Sequence, residues 1–326
     1  MSARGLLLAA CLALGAGAAA TARAEWIQRE AAIMGTRCVV ELWSTDRTAG
    51  ERAIEAVFYE FRRVDRVMST YKPDSEISAV NARAARVPVR VSRELYDLIA
   101  TSIEYSKLTR GAFDITYASV GYLYDYRAHV HPDDAKIAAA LPGINWRHIE
   151  LLPERTAIRF RQPGVRIDLG GIGKGHAVDR GVEVLRRLGI ERAMVNAGGD
   201  TRIIGDRFGR PWIVGIRHPD DANRVALRLP LTDVALSTSG DYERYFEEDG
   251  VRYHHILDPT TGKSASKVRS VTVIAATATR SDALTKSVFV MGAREGIEFI
   301  DTLGDVDAVA IDPDGKVYYS RGLAPP

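Results

Sequence analysis

Ile167-Asp168-Leu169-Gly170-Gly171-Ile172-Gly173-Lys174-Gly175 is the stretch on which the reading of this chain turns. Apolar residues from Val165 to Leu169 predict a strand, and the glycine cluster predicts a tight turn. A helix then follows, with Val178, Val182, Leu185 and Leu188 on one face and Gly189 as its stop. A strand-turn-helix of this kind offers backbone N–H groups and a helix N-terminus to a phosphate, and Lys174 adds a point charge. It is not a Walker A loop, which needs Gly where Asp168 stands and Ser or Thr where Gly175 stands, nor is it G-x-G-x-x-G. A tight turn without a ligand satisfies the same spacing.

Working outward, Ile149 to Leu152 and Thr156 to Phe160 read as strands just upstream. Further back, Cys38 to Trp43 reads as a strand. Thr48-x-x-Glu51 reads as a capping box for a helix with Ile54, Val57, Phe61, Val64 and Met68 at helical spacing. A second helix runs from Ser92 through Leu95, Leu98, Ile99 and Leu108 to a stop at Gly111, and Pro132 opens a short one that ends before Pro142. Downstream, Ala193 to Asn196, Trp212 to Ile216, Arg224 to Leu229 and Val271 to Ala275 read as strands. Asp249-Gly250 and Asp314-Gly315 read as hairpin turns, and helices near Ser281 to Met291 and Arg294 to Leu303 precede the second of them. Hairpins stand where a pure βαβ chain would carry helices, so the fold class is α+β. No linker, repeat or charge block marks a boundary, and residues 25–326 are expected to form a single domain.

The first residues read as an export signal. Arg4 precedes an apolar run from Leu6 to Ala20, and Ala22-Arg23-Ala24 is an A-x-A site that places cleavage before Glu25. Residues 1–24 are thus a cleaved signal peptide, and the expected location is the periplasm. Leu8-Ala9-Ala10-Cys11 also resembles a lipoprotein box, which would anchor the chain at the inner membrane; the apolar run continuing past Cys11 favours simple cleavage. Cys38 would then be the one cysteine left, a buried small hydrophobe with no disulfide partner. A net charge of +2 gives no electrostatic reason to expect nucleic acid.

Three other segments carry chemistry. In Tyr253-His254-His255-Ile256-Leu257-Asp258-Pro259-Thr260-Thr261-Gly262, adjacent histidines in a strand face opposite ways, so one can line a site while the other packs. No His or Cys sits at zinc-ligand spacing to them. In Thr279-Arg280-Ser281-Asp282-Ala283-Leu284-Thr285-Lys286, Asp282, Thr285 and Lys286 share a helical face, and oxygen ligands at a helix start suit Mg2+; an N-cap explains the same residues. Met68 to Asn81 is a polar, turn-rich loop carrying Tyr71, and Gly111-Ala112-Phe113-Asp114-Ile115-Thr116 follows a helix stop.

In order, Met34-Gly35-Thr36, the Tyr71 to Asn81 loop, Gly111 to Asp114, Asp168 to Gly175, Asn196-Ala197-Gly198-Gly199-Asp200, His255 to Pro259 with Thr261-Gly262, and Ser281 to Leu284 resemble the ApbE family of flavin transferases. The resemblance spans nearly all of the chain after the signal. It implies a T-fold-like architecture, antiparallel sheets with flanking helices around a central FAD cleft. It also implies Mg2+-dependent transfer of the FMN part of FAD to a threonine of another protein. By resemblance, Met34, Tyr71, Ala112, Phe113 and Asp114 contact the flavin half, while Asp168, Lys174, His255 and Ile256 lie near the nucleotide. The Mg2+ would take the Gly171 carbonyl, the Asp282 carboxylate and a hydroxyl one helical turn later. The family usually carries that Thr four residues after the Asp, where this chain has Lys286. Either Thr285 reaches the metal, or Lys286 places an ammonium near the pyrophosphate. His255 is the candidate proton acceptor, because an unperturbed imidazole titrates near neutral pH. The implied partner is an acceptor protein with an exposed Thr, a membrane redox subunit. An FAD pyrophosphatase and a non-turning-over flavin-binding protein share these motifs.

Overall fold

The computed structural model describes residues 24–218 and 221–323, so the expectations for the signal sequence and Cys11 lie outside the described residues. The chain opens with strands β1 (Glu25–Ile33) and β2 (Thr36–Ser44), joined by Met34-Gly35 with φ of 56° and 68°. Two left-handed residues in a row make the tightest hairpin that matches strand twist. Periodicity locates β2 and misses β1, whose Gln28, Arg29 and Glu30 are all exposed on the sheet's edge strand. Helix α1 (Arg47–Met68) starts before the expected capping box: the N-cap is Asp46, whose side chain accepts from the Ala49 N–H at 3.0 Å. Its face of Ile54, Val57, Phe61, Val64 and Met68 is buried as the spacing predicts.

Next come α2 (Glu76–Arg83), β3 (Val89–Arg90) and α3 (Arg93–Leu108), the last capped by Ser92. Then follow α4 (Ala118–Gly121), α5 (Asp134–Ala140), β4 (Ile149–Leu152) and β5 (Ala157–Phe160). Strands β3, β5 and β4 form a small sheet. Helix α6 (Gly173–Arg187) leaves the glycine turn, and Gly189 stops it at φ 74°, although Leu188 is exposed rather than part of the buried face. Beyond it lie β6 (Ala193–Ala197), β7 (Asp200–Ile204), the ribbon β8 (Trp212–His218) and β9 (Asp221–Leu231), β10 (Ala235–Gly240), and the hairpin β11 (Tyr245–Glu248) and β12 (Val251–His254). The chain ends with β13 (Ser270–Ala275), α7 (Ala278–Met291), α8 (Ala293–Leu303), β14 (Asp307–Ile311) and β15 (Val317–Tyr319).

The fold is α+β, as expected. Its spine is an eight-stranded sheet in the order β1-β2-β6-β7-β10-β13-β14-β15, antiparallel throughout. Alternation assigns its faces. On β13, Val271 and Val273 join the core under α7 and α8, while Ile274 joins the cluster that Trp212, Ile216, Leu229 and Leu231 of the ribbon build on the other side. On β10, the alternate residues Ser237 and Ser239 turn toward α7, where they meet Ser281 at 2.8 Å and Thr285 at 3.0 Å. A polar seam therefore runs beneath α7 toward the glycine turn, flanked by apolar core.

Helices α6 and α7 meet at Gly175. A Cβ there would lie 2.2 Å from the Ala278 carbonyl oxygen and 2.8 Å from the Asp282 Cβ, so only glycine permits this approach. Gly175→Ala is expected to force the helices apart and to destabilise the protein by about 3 kcal/mol, the upper end of ordinary overpacking. Urea denaturation checks it; an unchanged midpoint would show that the contact relaxes freely.

Candidate active site

The segment from Val165 to Leu169 is extended but is not a strand. Its polar backbone is held by side chains instead. The Asn81 carboxamide accepts from the Ile167 N–H at 2.8 Å and donates to the Ile167 carbonyl at 2.9 Å, and Ser119 Oγ accepts from the Arg166 N–H at 3.0 Å. A carboxamide thus does what a neighbouring strand would do, which satisfies the buried backbone without a ladder. The result places Asp168 at a crossroads. Its carboxylate accepts from Thr70 Oγ1 at 2.7 Å, Tyr117 Oη at 3.1 Å and the Gly170 N–H at 2.6 Å. Asp168 therefore ties the Tyr71 loop to the glycine turn.

The turn itself differs from the expected phosphate cradle. The Gly170 N–H is held by Asp168, the Ile172 and Gly173 N–H groups by the Leu169 carbonyl, and the Gly175 N–H by Asp282 Oδ2 at 3.0 Å. Most of its donors are already engaged, so attraction for an anion comes chiefly from side-chain charge.

That charge is concentrated. Lys174 Nζ hydrogen-bonds Asp200 Oδ2 and lies 3.9 Å from Asp282 Oδ2. Lys286 Nζ hydrogen-bonds Asp282 Oδ1 and also reaches Thr285 Oγ1 at 3.2 Å. Burial opposes ionisation of Asp282, but the two ammonium groups outweigh it and hold this carboxyl below its usual range. Asp200 goes the other way: burial, then the Asp282 charge, raises it despite Lys174. Its Oδ1 is buried without a hydrogen-bond partner. Burial lowers Lys174, yet Asp200 and Asp282 more than reverse this, so its ammonium form is strongly favoured.

Asp282 is not at the helix start. Thr277 caps α7, and Asp282 lies in the second turn, fully buried against α6. The proposed metal ligands are committed elsewhere. Thr285 Oγ1 donates to the Asp282 carbonyl at 2.7 Å while accepting from Ser239. Both Asp282 carboxylate oxygens are engaged, one by an ammonium. Gly171 lies nearby, since a Cβ on it would stand 3.5 Å from Lys286 Cγ and 3.3 Å from Phe113. A divalent cation does not fit this donor set, because it would enter beside Lys286 and Lys174 and compete for occupied oxygens. Gly171, Asp282 and Thr285 are thus brought near one another, with the carboxylate and hydroxyl oxygens already hydrogen-bonded.

The two histidines differ in burial, but β12 ends at His254 and His255 lies just beyond it, so strand alternation does not itself divide them. His254 is buried beside the Phe289 ring, with Nε2 on the Ala265 carbonyl at 2.7 Å and Nδ1 accepting from the Ile256 N–H at 3.3 Å. His255 is half-buried, and its Nδ1 has no partner. Burial, His254 and the cations of Lys286, Arg244 and Lys174 push it down to about 3. The expectation that it titrates near neutrality is therefore wrong for the free protein.

The remaining expected contacts are mixed. Tyr71 is 84% exposed, an aromatic ring with no packing of its own. Phe113 is buried against Gly171, and half-buried Ala112 packs against the core beneath α7. Met34 also packs on the core, and its strained turn edges a depression lined by Gly35, Thr36, Arg62 and Asp65. Asp114 does not present a free group: burial raises its carboxyl, which accepts from the Thr116 N–H at 2.8 Å, Thr116 Oγ1 at 2.6 Å and the Trp146 N–H at 2.8 Å. It shapes the loop whose Ile115 carbonyl receives the Asp168 N–H. Ile256 likewise contributes its side chain to the core, not to the cleft. Sequence reasoning gave Asp200 no role. The signal was Asn196 to Asp200, a hairpin turn whose Gly198 has φ 64° and which aims Asp200 at Lys174.

A sequence model of the ApbE family matches residues 34–310. The chain is 34% identical over 335 residues to the FAD:protein FMN transferase of Treponema pallidum, covering 96% of this chain and 92% of that protein. It is 31% identical over 294 residues to the protein of the same name from Klebsiella pneumoniae, covering 89% and 90%. The ApbE protein of Thermotoga maritima superposes with a TM-score of 0.85 at 33% identity, over 91% of this chain and 98% of that one. The flavin transferase ApbE from Vibrio cholerae does so with a TM-score of 0.81 at 30% identity, over the same shares.

Proposed function

The chain belongs to the ApbE family, and from that premise we propose that it moves the FMN part of FAD onto a threonine hydroxyl of an acceptor protein and releases AMP. The observation that carries this is the meeting of Lys174 and Lys286 at Asp282 beside the glycine turn, within electrostatic reach of His255, with the exposed Tyr71 loop tied to the turn through Asp168. Two ammonium groups suit the two charges of a pyrophosphate, and an unpacked aromatic suits a flavin ring.

In this reading, Lys174 and Lys286 hold the pyrophosphate. The acceptor's threonine oxygen attacks the phosphorus on the FMN side, and the bond from that phosphorus to the bridging oxygen breaks. AMP leaves with the bridging oxygen, and the hydroxyl proton passes to His255. As the pyrophosphate sheds its partner, the two lysines stabilise charge on the leaving phosphate. The flavin ends on a phosphoester to the acceptor. The chain is proposed to act in the periplasm, on an exported loop of a membrane redox subunit. The Leu6 to Ala20 run and the Ala22-Arg23-Ala24 site support that placement.

Incubation with FAD and a threonine-bearing acceptor tests the reaction. Covalently fluorescent acceptor and stoichiometric AMP are expected. Free FMN with AMP and no labelled acceptor would make the protein a pyrophosphatase, and neither product would make it a binding protein. Tyr71→Ala is expected to weaken FAD binding about tenfold, the usual scale for one aromatic stacking contact. Titration of flavin fluorescence measures it, and unchanged affinity would remove Tyr71 from the flavin site.

A further inference from the structure

We propose that the Lys286 ammonium is a built-in substitute for a divalent cation, so that this site binds the FAD pyrophosphate through Lys174 and Lys286 with no resident metal. The proposal rests on the pyrophosphate reading of the glycine turn and deepens it.

The geometry carries it. Lys286 stands four residues after Asp282, one helical turn along α7, and its ammonium bridges Asp282 Oδ1 and Thr285 Oγ1. A carboxylate oxygen and a hydroxyl oxygen one turn apart are the kind of pair that a hard cation takes. Here one positive charge is delivered to that pair by the chain itself. The lysine is only 15% exposed, and its stem lies against Gly171, where a Cβ would stand in ordinary contact with Cγ at 3.5 Å. The ammonium is thus steered to the glycine turn by packing as well as by charge. The local charge is arranged to match: Lys174 and Lys286 both reach Asp282, and Lys174 also hydrogen-bonds Asp200. A divalent cation entering there would meet two ammonium groups. A fixed ammonium also differs from a metal in that it is not exchanged with solvent or removed by chelation.

The test counts metal rather than product. Wild type, Lys286→Thr and the uncharged near-isostere Lys286→Met are titrated with Mn2+ in the presence of FAD and without acceptor. Bound metal is read by loss of the free Mn2+ paramagnetic signal, and FAD affinity is measured with and without chelator. Wild type is expected to sequester no Mn2+ beyond that taken by FAD alone, and its FAD affinity is expected to ignore chelator. Lys286→Thr frees Asp282 and supplies a hydroxyl, so it is expected to take one Mn2+ per chain and to make FAD binding chelator-sensitive. Lys286→Met is expected to bind FAD about tenfold more weakly, whether or not chelator is present. One Mn2+ per wild-type chain, lost on Asp282→Asn, would overturn the proposal. So would a Lys286→Thr protein that binds FAD and takes no metal, or a Lys286→Met protein with wild-type FAD affinity. Failure of wild type to bind FAD at all would instead remove the pyrophosphate reading on which the proposal rests.

Discussion

Asp282→Ala is expected to abolish transfer and also to lower the stability of the free protein by about 3–5 kcal/mol, the usual consequence of removing one partner from a buried ion pair. The structure adds the second effect, because Asp282 is fully buried, carries both lysines and caps the Gly175 N–H. Without it, two ammonium groups face each other across a packed helix interface. Asp282→Asn separates the contributions: its amide oxygen can still accept from Gly175, while the charge is gone. The asparagine variant is expected to be less destabilised than the alanine one and equally slow in transfer. FAD is expected to recover part of the lost stability in both, since its pyrophosphate brings the missing negative charge to the same lysines. Urea denaturation with and without FAD, beside AMP release, measures all of this. A wild-type midpoint for Asp282→Ala would show that the carboxylate is not what holds α6 to α7.

What the sequence made legible follows from how local each signal is. The buried face of α1, the helix start at Ser92, the Gly189 stop and the Asp249-Gly250 hairpin each depend on residues within one or two turns of each other, and all were found. The segment before the glycine turn was mistaken for a strand because its apolar residues look the same whether a strand or the Asn81 side chain satisfies its backbone. The turn could not be told from an open amide cradle for a related reason. Its glycines show that the backbone comes close to something, and for Gly175 that something is the Ala278 carbonyl of α7. Strand phase was the expected reason for His254 and His255 to differ, but the strand ends at His254 and His255 sits in the bend after it. No spacing rule links Asp200 to Lys174, which meet across 26 residues through the fold. The protonation of His255 was hidden too, because the cations around it come from distant points in the chain, Lys174, Arg244 and Lys286.

His255→Ala is expected to lose about 10²–10⁴-fold in transfer rate, the range for a positioned proton acceptor, with a much smaller change in FAD affinity. His254→Ala is expected to act through stability instead, because both its ring nitrogens are engaged within the core and neither faces the cleft. The pH dependence distinguishes this role from mere positioning. Neutral imidazole is the form that accepts a proton, and it dominates above the pKa. Burial and neighbouring cations place His255 at about 3 in the free protein, so kcat/KM is expected to show no acid limb from this group near pH 6.5. Once the pyrophosphate is bound, its negative charge offsets Lys174 and Lys286 and raises the imidazole, so the limb in kcat is expected at higher pH than the limb in kcat/KM. This ordering also resolves how so weak a base can serve: the bound FAD pyrophosphate strengthens the base that then takes the proton of the acceptor's threonine. Paired pH profiles of wild type and His255→Ala are the measurement. Identical profiles, or a kcat limb below that in kcat/KM, would assign the proton elsewhere. Inactivity of His254→Ala at a wild-type unfolding midpoint would put the wrong histidine in the cleft.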